Sequence, residues 1–314
     1  MMKRIPMGLI AWVGVVLAGP AAGSAERLAL EVDGREVAWY QAAPMSEPRG
    51  GDAFRVSNFF HPLKTPSGFV VTNMQPGDHL HHTGLWWPWK YVRVGGRQVN
   101  CWELQHGEGL VEARESRRTE DGLTARSVYI DRRAPGGPSL LLHETLNVTV
   151  SDLVEAPTCQ GYYLDLEISH EVAGEEPLTI ATHHYSGFAI RGAPSWNRDN
   201  SAVLTSEGRD YSQSNATRAR WVKVEGAAEE GRTAGFILMS RPDNHAHPEH
   251  LRTWNPDTHH GSIFINFNPV QAEPWRFEPG RAYVRNYRVF VYDGSVSAEG
   301  AEALWRQYQE TAAP

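Results

Sequence analysis

The stretch YYLDLEIS, residues 162–169, decides the fold class. Its side chains alternate along the chain, so that one face would carry Tyr162, Leu164, Leu166 and Ile168, and the other Tyr163, Asp165, Glu167 and Ser169. Successive side chains of a β-strand point to opposite faces of the sheet. This period of two therefore predicts a strand with one face in a core and the other towards solvent.

The same alternation recurs along most of the chain, in LALEVDGREVAWY, SVYIDRR, LLLHETLNVTV, RWVKVEG, GFILMS, SIFINF and AYVRNYRVFVYDG. Asp33-Gly34 is a typical hairpin turn, and RAPGGPS, residues 133–139, indicates a second hairpin. Many strands joined by short turns, without helices between them, exclude a parallel α/β sheet. We expect an all-β protein, a single large antiparallel β-sandwich.

One helix is predicted, at the end of the chain. Apolar residues repeat there at the spacing of a helical face, namely Ala301, Leu304, Trp305 and Tyr308. Ser297 precedes them and is the candidate N-terminal cap. No linker, charged block or repeat marks a second domain. We therefore expect residues 26–314 to form one β-sandwich domain that carries a short C-terminal helix.

Residues 1–25 have the features of a signal peptide: the cationic start MMKR, an apolar run, and the small-residue site AAGSA. A retained membrane anchor is the alternative, but the apolar run is short and interrupted by Gly14 and Pro20. We therefore expect a periplasmic or secreted protein with no stable membrane insertion after cleavage. An oxidising compartment would allow a disulfide between Cys101 and Cys159, and two free cysteines are the alternative.

The charge distribution narrows the range of partners. The net charge is −7 and the basic residues are scattered along the chain. The basic footprint of a nucleic-acid-binding protein is therefore missing, as is a polybasic cluster for anionic lipid. A small molecule or an oligosaccharide is the partner that we expect.

The segment GDHLHHTG, residues 77–84, is the first candidate site. The flanking glycines predict a loop or sheet edge, where Asp78, His79, His81 and His82 converge only if the backbone curls. Histidine titrates near neutral pH and is suited to proton transfer. We expect His81 or His82 to act as general acid or base, with Asp78 fixing the tautomer and raising the ring's basicity. His79 is a candidate for substrate binding.

Three later segments at predicted strand edges carry further polar groups: His183, His184 and Tyr185; Arg241, Asn244, His245, His247 and His250; and His259 and His260. Loops at strand ends are where a sandwich presents ligand-binding groups. We expect His184 or Tyr185 to be the opposing proton-transfer group. Arg241 and Asn244 would bind substrate hydroxyls or a carboxylate.

Tryptophans accompany these segments, and we expect Trp87, Trp89 and Trp254 to contact the ligand, the first two by stacking on a sugar ring. Core packing is the alternative for any of them. Glu103 and Glu144 are a weak candidate for a glycosidase carboxylate pair. The contents of DHLHH would suffice to bind a divalent metal, although their spacing matches no specific metal motif. No cofactor is certain from the sequence.

Several blocks resemble the bacterial family known as "methane oxygenase PmoA-like", a family of uncharacterised exported proteins. The most specific is DHLHH followed by GLW; HHYSGFAIRG and GFILMSRPDNHAHPEHLRTW are looser, and Ser186 departs from the usual glycine. The resemblance implies a galactose-mutarotase-like β-sandwich. It also implies that the gene lies near bacterial genes for polysaccharide degradation. A methane-oxidising membrane subunit needs several spanning helices, which the mature chain lacks.

The leading hypothesis is an exported carbohydrate-active enzyme that uses a histidine-rich cleft for acid-base chemistry, of hydrolase, lyase or mutarotase type. One alternative is a noncatalytic periplasmic sugar-binding protein, for which aromatic and hydrogen-bonding groups suffice. The other alternative is a metal-dependent enzyme.

Overall fold

The protein is described by a computed structural model that covers residues 26–311. The predicted signal peptide, residues 1–25, lies outside the described residues. The strands of the N-terminal half are β1 (Arg27–Val32), β2 (Arg35–Gln41), β3 (Phe60–Leu63), β4 (Leu85–Trp86), β5 (Tyr91–Val94), β6 (Arg97–Asn100), β7 (Gly109–Arg118), β8 (Gly122–Asp131), β9 (Ser139–Val150) and β10 (Val154–Ala156). Those of the C-terminal half are β11 (Cys159–Val172), β12 (Leu178–Ile180), β13 (Phe188–Arg191), β14 (Ser201–Thr205), β15 (Trp221–Ala227), β16 (Thr233–Ser240), β17 (His250–Thr253), β18 (Phe264–Asn268), β19 (Trp275–Phe277) and β20 (Tyr283–Gly294), followed by helix α1 (Ala298–Glu310).

The strands form three antiparallel sheets. The seven-stranded sheet has the order β1-β2-β3-β4-β13-β18-β17, and the nine-stranded sheet has the order β14-β15-β16-β20-β11-β9-β8-β7, with β10 paired to β11. A four-stranded sheet has the order β19-β12-β5-β6. A continuous core of side chains from both larger sheets fills the space between them. The prediction of an all-β antiparallel sandwich is confirmed.

Strand β11 shows why the alternation was informative. Leu164, Leu166 and Ile168 are fully buried in the core between the sheets, while Asp165 and Glu167 on the other face are partly exposed. Tyr163 departs from the pattern because the C-terminal helix and neighbouring strands cover it. The predicted hairpins also form, and Asp33 (φ 50°) and Gly34 (φ 71°) adopt the left-handed backbone of a tight turn between β1 and β2.

Helix α1 lies on the outer face of the nine-stranded sheet. Ser297 caps it, because its hydroxyl oxygen accepts a hydrogen bond of 3.1 Å from the backbone N–H of Gly300. Ala301, Trp305 and Tyr308 bury the apolar stripe against the sheet. The sequence prediction of a capped amphipathic helix is therefore confirmed.

Cys101 and Cys159 are both free, and they belong to different apolar clusters. The disulfide that an oxidising compartment would allow is therefore absent. Within residues 26–311, no helix combines the length and the apolar character needed to cross a bilayer.

Candidate functional site

The order of strands in the seven-stranded sheet brings distant segments together. Strands β4 and β18 begin at the same edge where β13 and β17 end, because Leu85 pairs with Ile190, and Arg191 with Phe264. The loop before β4, the end of β13 and the loop between β17 and β18 consequently meet. These segments carry the DHLHH residues, Arg191 and His259.

The loop before β4 is curled, which is the condition under which its polar side chains were expected to converge. The backbone N–H of His82 donates to the carbonyl of His79 at 3.0 Å, and Gln75 N–H donates to the carbonyl of His82 at 2.7 Å. The ring centroids of His79 and His82 lie 4.8 Å apart, and those of His81 and His82 also 4.8 Å. Three imidazoles therefore pack as one group.

Beneath this group lies an aromatic floor, which we define as Trp86, Trp102, Trp254 and Phe264. These side chains form an apolar cluster distinct from the main core, so they lie on the outer face of the seven-stranded sheet. His82 packs 5.0 Å from Trp86 and 5.0 Å from Phe264, measured between ring centroids. The three indoles are at most 3% exposed. They support the polar groups and offer no free face for a sugar.

Asp78 is held by Arg191 at the end of β13. The guanidinium Nη2 donates to both carboxylate oxygens, at 3.2 and 2.9 Å, and Arg191 also lies over the Trp254 ring at 4.4 Å. The other Asp78 contact is with His79, whose Nδ1 is 3.1 Å from Oδ2. Burial would raise the pKa of Asp78, but its bonds to His79 and Arg191 and their charges hold that pKa well below its usual range.

The predicted role of Asp78 is therefore wrong in detail. It orients His79, and neither His81 nor His82. Burial and the charges of neighbouring histidines lower the pKa of His81 to about 4, and burial keeps the pKa of His82 well below its usual value. Both rings are neutral at pH 7. His82 is 1% exposed, which leaves His81 as the ring of the two that can reach a ligand.

His259 reaches the same place from the loop between β17 and β18. Its ring centroid lies 4.0 Å from Trp254 and 4.9 Å from His79. One ligand-type atom from each of Asp78, His79 and His259 lies within 4.8 Å of the other two. Among the residues that the structure describes, these three form the set of His, Cys, Asp or Glu side chains that could hold a metal ion.

Tyr185 lies beside the N–H group of the Trp254 indole. Its hydroxyl oxygen accepts hydrogen bonds from Arg252 Nη2 at 3.0 Å and from Trp254 Nε1 at 3.1 Å. Two donors occupy both lone pairs of a tyrosine hydroxyl, so its own proton remains available for a ligand. The ring of the exposed residue His184 lies 4.5 Å from the Tyr185 ring. The two residues predicted as the opposing proton-transfer group therefore lie next to each other, and their role stays a prediction.

A Lys90–Glu103 ion pair lies at the border of the same site. Burial alone would raise the pKa of Glu103, but hydrogen bonds from Lys90 and Asn100 lower it to about 2. Both charges act on His81 and on His184, with opposite signs. Burial lowers the pKa of His184, and the nearby charge of Arg252 lowers it further, so this imidazole too is neutral at pH 7.

Acidification should destabilise the protein through its partly buried histidines. Burial lowers the pKa of His61 and of His81 to about 4, from 6.5 for both. The unfolded chain therefore takes up these protons first. This contribution to stability is complete above pH 6.5 and is lost as the pH falls towards 4, by at most roughly 2 kcal/mol per ring at pH 5 before screening by solvent.

Urea denaturation at pH 7 and pH 5 would measure this loss. We expect His81→Gln to lose less stability on acidification than wild type, because one of the responsible rings is gone. His143→Gln, at an exposed position on β9, is the control and should behave as wild type. An unchanged pH dependence in His81→Gln would show that His81 is not held neutral by the fold.

Two tryptophans predicted to stack on a sugar are core residues instead. Trp87 is 1% exposed between the two large sheets, and its Nε1 donates to Glu144 at 2.9 Å. Trp89 is fully buried in the cluster beneath the four-stranded sheet, with the Arg285 guanidinium over its ring at 4.0 Å. Trp254 does lie in the site, but as part of the aromatic floor.

The predicted roles of Arg241 and Asn244 are also corrected by their positions. Arg241 Nη2 donates to the carbonyl of Thr311 at 2.6 Å, beside helix α1. Asn244 is buried, and its side chain bonds Ser240, Glu249 and the backbone of Asn286. Both residues stabilise the turn after β16. His245 and His247 likewise contact Trp275 and Trp305, not the site.

Glu103 and Glu144 do not act as a pair, because Glu144 is 1% exposed in the interior whereas Glu103 borders the site. Sequence reasoning missed Arg191 and Arg252. The signal for Arg191 was available, since an arginine that ends the apolar strand FAIR must find a partner when it is buried. For Arg252, which alternates with apolar neighbours on a half-buried strand, no local signal distinguishes it from a solvated residue.

Solved structures to which the chain is similar include two GH36 alpha-galactosidases from Geobacillus stearothermophilus. AgaA has 14% sequence identity and a TM-score of 0.38, with 86% of this chain and 41% of that chain covered. AgaB has 13% identity and a TM-score of 0.37, with 84% and 41% covered. The chain therefore spans about two fifths of the length of these structures.

No curated protein matches the chain in sequence. A family model does match, over residues 27–306, which include every strand of the structure and most of helix α1. The chain belongs to DUF6807, described as a family of unknown function.

Proposed function

We propose that this protein is a carbohydrate-active enzyme that moves protons between a sugar and a histidine–tyrosine site, by lyase or epimerase chemistry. The observation that carries the proposal is the Tyr185 hydroxyl, which accepts from Arg252 and Trp254 and lies beside a neutral, exposed imidazole. A hydroxyl with a free proton and a neutral ring with a free lone pair are the two groups that proton abstraction and return require.

In the lyase reaction, His184 or His81 accepts a proton from a sugar carbon, a C=C bond forms as the C–O bond at the neighbouring carbon breaks, and Tyr185 donates its proton to the departing oxygen. In the epimerase reaction, the imidazole accepts the carbon-bound proton on one face of the sugar, and Tyr185 returns a proton to the same carbon on the other face. Arg252 supports proton donation by Tyr185, because its positive charge stabilises negative charge that develops on the tyrosine oxygen. The half-buried ring of Tyr185 and the exposed ring of His184 replace the buried tryptophans as contacts for a sugar.

Hydrolysis by two carboxyl groups is the less favoured chemistry for this site. That mechanism needs one carboxyl group that is protonated at working pH. Neither nearby acid meets this need, since Arg191 and His79 hold the pKa of Asp78 well down, and Lys90 and Asn100 lower that of Glu103 to about 2. A mechanism based on histidine and tyrosine has no such requirement.

A panel of neutral and uronate-containing oligosaccharides would test the proposal. Purified protein is incubated with each saccharide, and three products are followed: unsaturated sugars by ultraviolet absorbance, new reducing ends, and exchange of C–H protons with D₂O by NMR. We expect unsaturated or deuterium-exchanged product from at least one saccharide. New reducing ends without either signal would point to hydrolysis and contradict the mechanism.

The sugar-binding alternative is distinguished in the same experiment by thermal shift. A saccharide that raises the melting temperature without forming any product, in wild type and in His184→Gln alike, would favour binding alone. Neither binding nor turnover across the panel would contradict a carbohydrate ligand altogether.

A further inference from the structure

We propose that Asp78, His79 and His259 bind one divalent first-row transition-metal ion. Among the described residues these three bring one carboxylate and two imidazoles to a common point, with their ligand atoms within 4.8 Å of one another. None of the proton-transfer roles proposed above uses His79 or His259. The inference is therefore independent of the proposed function, and it can be tested without a substrate.

The distances are close to those of a bound ion. Ligand atoms on a tetrahedral zinc ion are about 3.3 Å apart, given metal–ligand bonds of about 2.0–2.1 Å. Asp78 Oδ2 and His79 Nδ1 are already 3.1 Å apart. The most distant pair has to approach by no more than about 1.5 Å, which a small side-chain rotation supplies.

His259 lies in a run of left-handed backbone, which is uncommon for residues other than glycine. His259, His260 and Gly261 are consecutive left-handed residues, with φ of 50°, 57° and 69°. A side chain at the third position would not fit, because a Cβ on Gly261 would lie 2.6 Å from the backbone nitrogen of Arg198. Left-handed backbone in non-glycine residues is unfavourable by roughly 1–2 kcal/mol each. Such strain is concentrated at functional sites, where a side chain must be aimed.

Neighbouring groups hold all three ligands from behind. Arg191 binds both oxygens of Asp78, and the indole of Trp254 packs against both imidazoles, at 4.7 Å from His79 and 4.0 Å from His259. Metal-binding carboxylates and histidines are usually held by such a second layer of contacts. The charge of Arg191 opposes a cation, so the two imidazole ligands have to provide most of the affinity.

The ligand set favours a transition metal over calcium or magnesium. Two imidazoles and one carboxylate form the set found in catalytic zinc sites and in non-haem iron sites, whereas calcium and magnesium prefer oxygen ligands. The side chains of Asp78 and His79 are 35% and 22% exposed, so remaining coordination positions would be open to water or to a ligand. Zinc should bind more tightly than manganese in such a site.

The test uses untagged protein that has been stripped with a chelator and then titrated with Zn²⁺ by calorimetry, with Co²⁺ absorbance as a second readout. We expect one Zn²⁺ per chain, a rise in melting temperature, and cobalt bands of a site with mixed nitrogen and oxygen ligands. His259→Asn should bind Zn²⁺ at least roughly tenfold more weakly, since one ligand is lost.

His260→Asn is the matched control. It makes the same chemical change at the adjacent left-handed position, where asparagine is tolerated, but His260 is not one of the three ligands. Its zinc affinity should equal that of wild type. Equal weakening in both variants, no effect of His259→Asn, or no stoichiometric zinc binding by the wild type would each overturn the proposal.

Discussion

Replacing Tyr185 by phenylalanine is expected to reduce kcat/KM on the active saccharide by roughly 10²- to 10⁴-fold, which is the usual contribution of a positioned acid or base. The substitution removes only the hydroxyl that bonds Arg252 and Trp254. The aromatic ring, which packs near His184 and Phe264, is retained. The loss should fall mainly on kcat, because the hydroxyl acts in the chemical step.

Tyr292→Phe is the matched control for this experiment. Tyr292 also carries a bonded hydroxyl, which donates to Glu225 at 2.8 Å, but it lies on the face of the sheet that helix α1 covers. Tyr185→Phe loses two hydrogen bonds at its hydroxyl and Tyr292→Phe loses one, and each variant is expected to lose about 1–3 kcal/mol of stability. Turnover should fall only in Tyr185→Phe. Equal turnover in the two variants would exclude Tyr185 from the mechanism.

Replacing His170 by phenylalanine is expected to lower the free energy of unfolding by roughly 3 kcal/mol, because a buried carboxylate would lose one of its donors. Glu144 is 1% exposed and accepts from His170 Nε2 at 2.9 Å, Trp87 Nε1 at 2.9 Å and Asn58 Nδ2 at 2.6 Å. Glu144 and His170 belong to strands of the nine-stranded sheet, whereas Trp87 directly follows β4 and Asn58 precedes β3 of the seven-stranded sheet, so the carboxylate links the two halves of the sandwich.

The charge state of this pair follows from its surroundings. Burial would raise the pKa of Glu144, but the hydrogen bonds from His170, Trp87 and Asn58 lower it. Burial lowers the pKa of His170 more than Glu144 raises it. The pair is therefore a carboxylate with a neutral imidazole that donates through Nε2.

A double-mutant cycle measured by urea denaturation checks this account. We expect His170→Phe combined with Glu144→Leu to be less destabilising than the sum of the single changes, because removing the carboxylate removes the group that lacks a donor. Purely additive effects would show that the pair does not interact. Turnover of correctly folded His170→Phe should remain close to wild type.

The strands were predictable because their burial is local. The spacing of Leu164, Leu166 and Ile168 alone indicates a buried face. Helix α1 is predicted by Ser297 as its N-terminal cap and by its apolar stripe. The curled DHLHH loop was foreseen as a condition for convergence. What brings His259 and Arg191 to that loop is the order β4-β13-β18-β17, which depends on pairings between residues far apart in sequence.

The wrong predictions for Trp87 and Trp89 arose because side chains alternate between the two faces of a strand, and the sequence does not show which face carries the site. Along LWW, Leu85 and Trp87 point into the main core, whereas Trp86 points to the opposite face and belongs to the aromatic floor, so a shift of one residue exchanges the two faces. Choosing Trp87 over Trp86 therefore selected the wrong side of the sheet. Export from the cell and the resemblance to the PmoA-like family stay predictions.

The most direct test of the central claim is a crystal structure of Tyr185→Phe with the saccharide that wild type converts. The slow variant should retain the intact sugar on the outer face of the seven-stranded sheet, within hydrogen-bond distance of His81, His184 or Arg252. A sugar bound elsewhere, with these three side chains free of contacts to it, would contradict the account.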